Sequence, residues 1–223
     1  NVKIDKKSSK ALADNDEKSF TSLITLYDTN KIIYTYYKSD YDHQRKLYSG
    51  KKISEFLKYR PNQQEIDYFY SYLYNFWKMF IDNFPGVKDY VDKCNDENAA
   101  SSYRNKNSGG LLYFRPIALP QLIKAILETQ LRTQMVLTEC MAKYAQVEMC
   151  ISREPWVQLL WNVKAQTMIM KYKTNIFHML IYLFSKDLLS QKEKYTLLKN
   201  YAEANDIDEL AADQRLSGLT SVL

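Results

Sequence analysis

Three cationic side chains surround a short polar loop near the middle of the chain. Arg104 and Lys106 lie at its start and Arg115 follows it, with asparagine, serine and glycine residues between them. Guanidinium groups form charge-assisted hydrogen bonds to phosphate oxygens, and the main-chain amides of such a loop can add further donors. The residues therefore predict a modest phosphate-binding site at Arg104, Lys106 and Arg115. The alternative is a solvated loop in which Arg115 pairs with a carboxylate, and the residues alone favour that alternative.

Other groups that could carry chemistry are sparse. The run Asp42-His43-Gln44-Arg45 combines a carboxylate, an imidazole and a guanidinium, but a histidine without a placed partner usually carries no chemistry, which favours a solvated segment. The sequence contains no Walker loop, no dinucleotide-binding glycine motif and no nucleophile elbow. The three cysteines and two histidines lack zinc-site spacing. We therefore expect no metal or cofactor, and a binding protein rather than an enzyme.

Backbone-shaping residues are concentrated in the stretch from 103 to 127 that holds these cations. Gly109 and Gly110 allow positive φ or a close backbone approach, and residues 111–114 form a short apolar run. Pro116 and Pro120 restrict where the next helix can begin. The stretch is thus predicted to turn the chain from a loop into a helix.

Apolar side chains recur at helical spacing over most of the chain. The spacing predicts helices at about 17–30, 61–84, 117–131, 133–149, 176–184 and 190–201, and a β-hairpin near 157–172. The fold class expected is mainly α, a helical domain with a short β-hairpin. The helix at 61–84 is expected to be the central core helix.

Four tyrosines lie on that long predicted helix. Tyr68, Tyr70, Tyr72 and Tyr74 could stack nucleic-acid bases, since aromatic rings are a common platform for single strands. Tyrosines on a long helix more often pack their rings and leave their hydroxyl groups at the boundary with solvent. Packing is therefore the favoured interpretation.

Composition divides the chain into three parts. Residues 1–92 form an N-terminal helical segment, 93–108 are polar enough for an exposed loop or linker, and 109–223 form a C-terminal helical segment with the hairpin. The formal charge of +5 is compatible with a nucleic-acid partner. The odd number of cysteines and the lack of a long apolar run predict a cytoplasmic protein without a membrane partner.

The run from Gly109 to Ile117, Gly-Gly-Leu-Leu-Tyr-Phe-Arg-Pro-Ile, resembles the "G-hydrophobic-LFRPIG" segment of the DGQHR-domain proteins, which include the DndB-type regulators associated with DNA phosphorothioation. A second block is similar to the family's C-terminal segment: Pro155-Trp156, Leu160-Trp161, Thr167-Met168-Ile169 and Leu180-Ile181-Tyr182-Leu183. A weaker similarity covers residues 1–16. The signature Asp-Gly-Gln-His-Arg itself is absent, and residues 42–45 are not that motif.

The resemblance implies that this chain is the C-terminal part of a larger α+β protein whose signature half lies upstream. It implies a bacterial DNA-associated protein, in the DndB type a transcriptional repressor, and makes phosphate binding at Arg104, Lys106 and Arg115 as strong an interpretation as the solvated loop. The expected function is a DNA-binding or regulatory module of a DNA-modification, phosphorothioation-like or defence system. Its expected partners are DNA, the upstream half and a second copy of the chain. The alternative is a helical interaction or oligomerisation module without nucleic-acid contact, which an exposed apolar patch on the helix at 61–84 would favour.

Overall fold

The computed structural model describes residues 2–7, 9–13, 16–45, 62–105 and 107–220, with the backbone alone for 38–45. The described chain is mainly α-helical with two short strand pairs, which confirms the predicted fold class. Its helices are α1 (Leu23–Arg45), α2 (Gln63–Asn83), α3 (Pro85–Asp92), α4 (Leu119–Thr133), α5 (Leu137–Tyr144), α6 (Asn175–Phe184), α7 (Gln191–Asn205) and α8 (Glu209–Thr220). Its strands are β1 (Ile4–Asp5), β2 (Thr21–Ser22), β3 (Trp161–Asn162) and β4 (Thr167–Met168).

The first helix begins later and runs further than the predicted span of 17–30. The hydroxyl of Ser22 accepts a hydrogen bond from the amide of Thr25 at 3.2 Å, the contact expected of an N-cap residue. Phe20, which was assigned to the helix face, lies before the helix and is buried in the core. Strand β2 pairs in parallel with β1, so the N-terminal segment is tied to the start of α1. Residues 42–45 lie at the end of α1, and their side chains are outside the described part.

Helix α2 agrees with the predicted span of 61–84, although Pro61 lies outside the described residues. Asn62 and Glu65 form a reciprocal capping box at its start. The rings of Phe76 and Phe80 are fully buried, as expected of a core helix. Pro85 ends α2 as predicted and is also the first residue of α3, a position where its missing N–H costs nothing.

The packing interpretation of the four tyrosines on α2 is wrong for three of them. Tyr70 and Tyr74 are 68% and 60% exposed, and Tyr68 is also exposed. Only the ring of Tyr72 packs, at 4.8 Å between centroids from the ring of Tyr37 on α1. The helix therefore presents aromatic rings to solvent on one side and a buried face on the other.

The C-terminal elements follow the predicted order. Helices α4, α6 and α7 lie within a few residues of their predicted spans, whereas α5 is shorter than the predicted 133–149. The hairpin is antiparallel, with Trp161 opposite Met168 and Asn162 opposite Thr167. Helix α8 was not predicted, because its apolar residues are few and do not recur at helical spacing. None of the helices in the described ranges is both long and apolar enough to cross a membrane.

One hydrophobic core cluster contains side chains from both sides of the predicted boundary at 93–108. Within that stretch Cys94, Ala99 and Ala100 are buried, so the prediction of an exposed loop is wrong for these residues. The amide of Ala100 donates to the carbonyl of Glu17 at 2.7 Å, which attaches the loop to the N-terminal segment. The division of the chain into segments at this loop stays a prediction.

A pH dependence of stability follows from the buried Tyr113. Burial raises the pKa of Tyr113 to about 12, whereas an unfolded tyrosine ionises near pH ~10. Between these values the unfolded chain has lost a proton that the folded chain retains, so the free energy of unfolding falls as pH rises. The loss from this one group is about 1.4 kcal/mol per pH unit.

Urea unfolding of the wild type and of Tyr113→Phe between pH ~9 and pH ~11 measures this contribution. Burial also raises the pKa of Tyr182 to about 12, so in both proteins this residue adds its own fall in the free energy of unfolding as pH rises. We expect the variant to lose stability less steeply than the wild type, by the equivalent of one proton. Equal slopes would contradict the assignment to Tyr113.

Candidate functional site

Two glycines in the left-handed region form the loop that precedes Arg115. Gly109 has φ of 69° and Gly110 has φ of 73°, as the sequence predicted for one or both of these positions. A Cβ on Gly110 would lie 1.9 Å from the carbonyl oxygen of Tyr103. The same carbonyl accepts a hydrogen bond from the amide of Leu111 at 2.8 Å. The close approach therefore fixes the loop after the glycines against the residue that precedes Arg104.

Buried aromatic rings pack beside the contact between Gly110 and the Tyr103 carbonyl. Leu112–Phe114 form one turn of 3₁₀ helix, and all three side chains are buried. The ring of Phe114 stacks on that of Tyr103, with centroids 4.6 Å apart and an interplanar angle of 15°. Phe20 and Tyr90 contact the same ring edge to face, at 5.1 and 5.6 Å. Rings from four separate parts of the chain thus fix the backbone on both sides of the loop.

Arg115 is held by main-chain and ring contacts. Its Nε donates to the carbonyl of Gly109 at 2.9 Å, and its Nη2 donates to the same oxygen. Its Cζ lies 5.7 Å from the ring centroid of Trp161, within the range of a cation–π contact. Burial, and then the charge of Arg104, lower the pKa of Arg115 to about 10. Within the described ranges no carboxylate pairs with Arg115, which contradicts the alternative of a carboxylate-paired arginine.

Arg104 is also buried, with only 8% of its side chain exposed. Its Nη2 donates to the main-chain carbonyl of Asp16 at 2.6 Å. Its Nε and Nη1 are buried and have no hydrogen-bond partner among the described residues. Burial lowers the pKa of Arg104, and the negative charges of Asp16 and Glu17 offset part of that effect.

The nearest carboxylate does not neutralise Arg104 at hydrogen-bond distance. Asp16 Oδ1 lies 3.7 Å from Nη2 of Arg104. That oxygen already accepts hydrogen bonds from the amides of Ser19 and Lys18, at 2.8 and 3.1 Å. Burial raises the pKa of Asp16, but these amides and the charge of Arg104 outweigh burial and lower it overall. Asp16 therefore serves mainly to shape the N-terminal segment, and only Nη2 of Arg104 contacts it.

Both arginines line one open cleft of about 1580 Å³. Its walls come from the N-terminal segment, α1, the loop before Gly109, the start of α4, the β3–β4 hairpin and the residues after it. Among the described residues, five basic and three acidic side chains line it: Lys10, Lys31, Arg104, Arg115 and Lys173 against Asp16, Glu17 and Asp28. The difference is two positive charges. Lys10 is paired with Asp28 at 2.6 Å, so the excess lies with the remaining cations.

Trp161 adds a third unsatisfied donor to the same cleft. The residue is 2% exposed and its Nε1 has no hydrogen-bond partner among the described residues. Buried donors in folded proteins are almost always paired, so each exception needs an explanation. The three unpaired buried atoms, two on Arg104 and one on Trp161, are all N–H donors of residues that line the cleft. The complementary ligand is a group of acceptors, and the excess positive charge favours an anion.

The structure describes two of the three predicted site residues. Arg104 and Arg115 line the same cleft, while Lys106 lies outside the described residues. The amides of Asn107 and Ser108 donate to the side chain of Asn105, at 2.7 and 3.1 Å. These two amides are therefore committed to the turn, which contradicts the expectation of phosphate binding for them. The unpaired buried donors among the described residues that line the cleft belong to side chains.

Sequence reasoning assigned no site role to Trp161 or to the lysines of the cleft. Trp161 is distant from Arg115 in sequence, and no local pattern connects them. A signal did exist for Trp161, because it belongs to the second block of family resemblance. The described residues contain no group of three His, Cys, Asp or Glu side chains placed to hold a metal ion.

Gly110→Ala tests the backbone junction that carries the site. A methyl group there collides with the Tyr103 carbonyl at a φ that L-residues rarely adopt, so we expect the free energy of unfolding to fall by roughly 2 kcal/mol or more. Gly218→Ala is the matched control, because a Cβ there meets nothing within 4 Å and the residue lies in α8. The control should gain up to about 1 kcal/mol in urea unfolding. Equal effects of the two substitutions would contradict the role of the close approach between Gly110 and the Tyr103 carbonyl.

Comparison with protein-family models, with curated proteins and with solved structures finds no match to this chain.

Proposed function

We propose that this chain is a nucleic-acid-associated regulatory module that binds strand phosphate in the cleft of Arg104 and Arg115. The observation that carries the proposal is the guanidinium of Arg104, almost fully buried in the cleft with Nε and Nη1 unpaired. An unpaired buried donor costs about 1–3 kcal/mol, and more when it belongs to a charged group. A phosphate would supply acceptors to both nitrogens and a negative charge to both arginines.

The electrostatics of the pair favour an anion over a neutral acceptor. The charge of Arg104 contributes to the lowered pKa of Arg115, so the two guanidinium groups repel each other across the cleft. A bound anion converts that repulsion into two attractions. Planar guanidinium groups are well suited to phosphate, because they offer several N–H donors at fixed angles.

The size and shape of the cleft favour an extended strand. Its volume of about 1580 Å³ exceeds the roughly 300–1,000 Å³ of ordinary small-molecule pockets. A duplex presents its phosphates on a convex surface, which cannot bring one against a side chain that is 8% exposed. A single strand or a strand end can enter a concave groove, as in proteins that bind single strands. The ligand we propose is therefore single-stranded nucleic acid.

Two further observations support the nucleic-acid assignment. The chain carries a formal charge of +5, and residues 109–117, which include Arg115, resemble a segment of the DGQHR-domain proteins. We extend the proposal accordingly to a cytoplasmic module of a bacterial DNA-modification or defence system, in which binding regulates that system. Contacts to phosphate fix position and carry no sequence information, so the cleft by itself would bind strands of any sequence.

A second candidate function rests on the outer face of α2. Tyr70, Leu73, Tyr74, Trp77 and Ile81 line an almost wholly apolar groove of about 360 Å³ there, with Lys78 at its side. This is the kind of surface that marks a protein interaction site. It supports a helical interaction module whose partner is a second copy of the chain or another part of a longer protein.

Arg104→Met tests the proposed function. The change removes the buried charge and its two unpaired nitrogens while keeping a long apolar side chain. We expect the affinity for a labelled single-stranded oligonucleotide to fall by about 10- to 100-fold in fluorescence anisotropy, the value of one or two charge-assisted hydrogen bonds. The slope of log affinity against log salt should fall by about 0.7.

Arg153→Met is the matched control, because it removes the same charge from a side chain that is 72% exposed and outside the cleft. Its affinity should stay within about 3-fold of the wild type, since an exposed cation contributes little. Urea unfolding should place Arg104→Met within about 2 kcal/mol of the wild type, because the lost contact to Asp16 is offset by the removal of unpaired buried donors. Equal oligonucleotide affinities of the two variants would overturn the proposal.

A further inference from the structure

We infer that the cleft recognises a terminal phosphate monoester, the end of a nucleic-acid strand, in preference to an internal phosphodiester. The inference rests on the proposed function and specifies its ligand. It depends on the unpaired donors of the residues that line the cleft, on the net charge of that lining, and on the depth at which Arg104 lies.

The donors are more numerous than the non-bridging oxygens of an internal phosphodiester. Nε and Nη1 of Arg104 together carry three N–H groups, and Nε1 of Trp161 carries one more. Arg115 uses Nε and Nη2 on the carbonyl of Gly109, which leaves Nη1. A phosphodiester within a strand has two non-bridging oxygens, whereas a terminal monoester has three. The monoester is therefore the better match to donors that come from three side chains.

Charge favours the same ligand. A phosphate monoester carries a charge of about −1.5 to −2 at neutral pH, because its second pKa is near ~6, whereas a phosphodiester carries about −1. The described lining of the cleft has an excess of two positive charges. A dianion compensates that excess in full, whereas a monoanion leaves one positive charge uncompensated. Electrostatic complementarity of this kind gives specificity between ligands.

Access also distinguishes the end of a strand from its middle. Only 8% of the side chain of Arg104 is exposed, between the N-terminal segment at Asp16 and the residues that follow Tyr103. An internal phosphate at that depth would need room for a nucleotide on each side of it. A terminal phosphate needs a single path, and the sugar and base behind it would face the apolar lining at Pro116, Ile117 and Met168.

The preference is measured with the full chain and three oligonucleotides of one sequence, each with an internal fluorescent label, that carry a 5′-phosphate, a 3′-phosphate or hydroxyl groups at both ends. In fluorescence anisotropy we expect at least one phosphorylated form to bind about 10-fold or more tightly than the hydroxyl form. Arg104→Met should abolish the difference. Equal affinities of all three forms for the wild type would overturn the inference.

Trp161→Phe provides a variant that keeps the ring and removes only the indole N–H. We expect it to lose about 3- to 10-fold in affinity for the phosphorylated oligonucleotide and little for the hydroxyl form. Trp77→Phe is the matched control, because its Nε1 donates to Asn30 at 2.9 Å and lies outside the cleft. An undiminished preference for phosphorylated ends in Trp161→Phe would contradict the assignment of the indole as a ligand donor.

A competition experiment distinguishes a strand phosphate from the phosphate of a free nucleotide. It also separates the further inference from the proposed function. Deoxyadenosine monophosphate should displace the labelled strand at lower concentration than deoxyadenosine does. If Arg104→Met weakens all three oligonucleotides equally, end recognition is wrong and the proposed function stands. If the monophosphate binds in isothermal titration calorimetry and no oligonucleotide does, the proposed function is wrong and monoester recognition stands. If neither binds, both are overturned.

Discussion

The approach of Gly110 to the carbonyl of Tyr103 is the contact on which the candidate site depends. It brings two stretches of backbone closer than any residue with a Cβ allows, and the hydrogen bond from Leu111 to the same carbonyl closes the junction. Arg104 follows Tyr103 directly, and Arg115 is held by the neighbouring Gly109. One local backbone constraint therefore places two arginines in the lining of one cleft, although their charges alone would keep them apart.

Such an arrangement is stable only if the surrounding structure compensates for it. The stacked and edge-to-face rings around Phe114 supply that compensation, since aromatic pairs add to the free energy gained by burying their area. The two arginines are built into the margin of this aromatic cluster and not into a surface loop. Unpaired buried donors next to a well-packed core are typical of sites where stability is given up for binding.

The sequence predicts the parts of the fold that local signals determine. Prolines and apolar periodicity placed α2 and α4 within about two residues, and short β-favourable runs located the hairpin. The missed elements have weak local signals: α3 is a short helix that starts at the proline expected only to end α2, and α8 has little apolar periodicity. The exposure of Tyr70 and Tyr74 was missed because helical spacing identifies a face and does not say whether anything covers it.

The candidate site was predictable only in part, for the same reason. Arg104 and Arg115 flank one loop, so their proximity could be expected from the chain itself. The burial that makes Arg104 distinctive comes from Asp16, which lies 88 residues earlier in the chain, and the third donor comes from Trp161 on the hairpin. No sequence pattern connects positions so far apart. Two of the predicted loop amides, those of Asn107 and Ser108, are satisfied locally by Asn105, a competition that asparagine commonly wins in turns.

Helix α1 connects the two surfaces that support the two candidate functions. Asn30 accepts the hydrogen bond from Trp77, whose ring lines the apolar groove of α2, and the next residue, Lys31, lines the cleft. Successive residues of a helix point about 100° apart, so one turn of α1 supports the groove and the cleft at once. A partner bound to α2 and a phosphate bound in the cleft would therefore both act on the position of α1. The two surfaces use different faces of α1, so neither candidate function excludes the other.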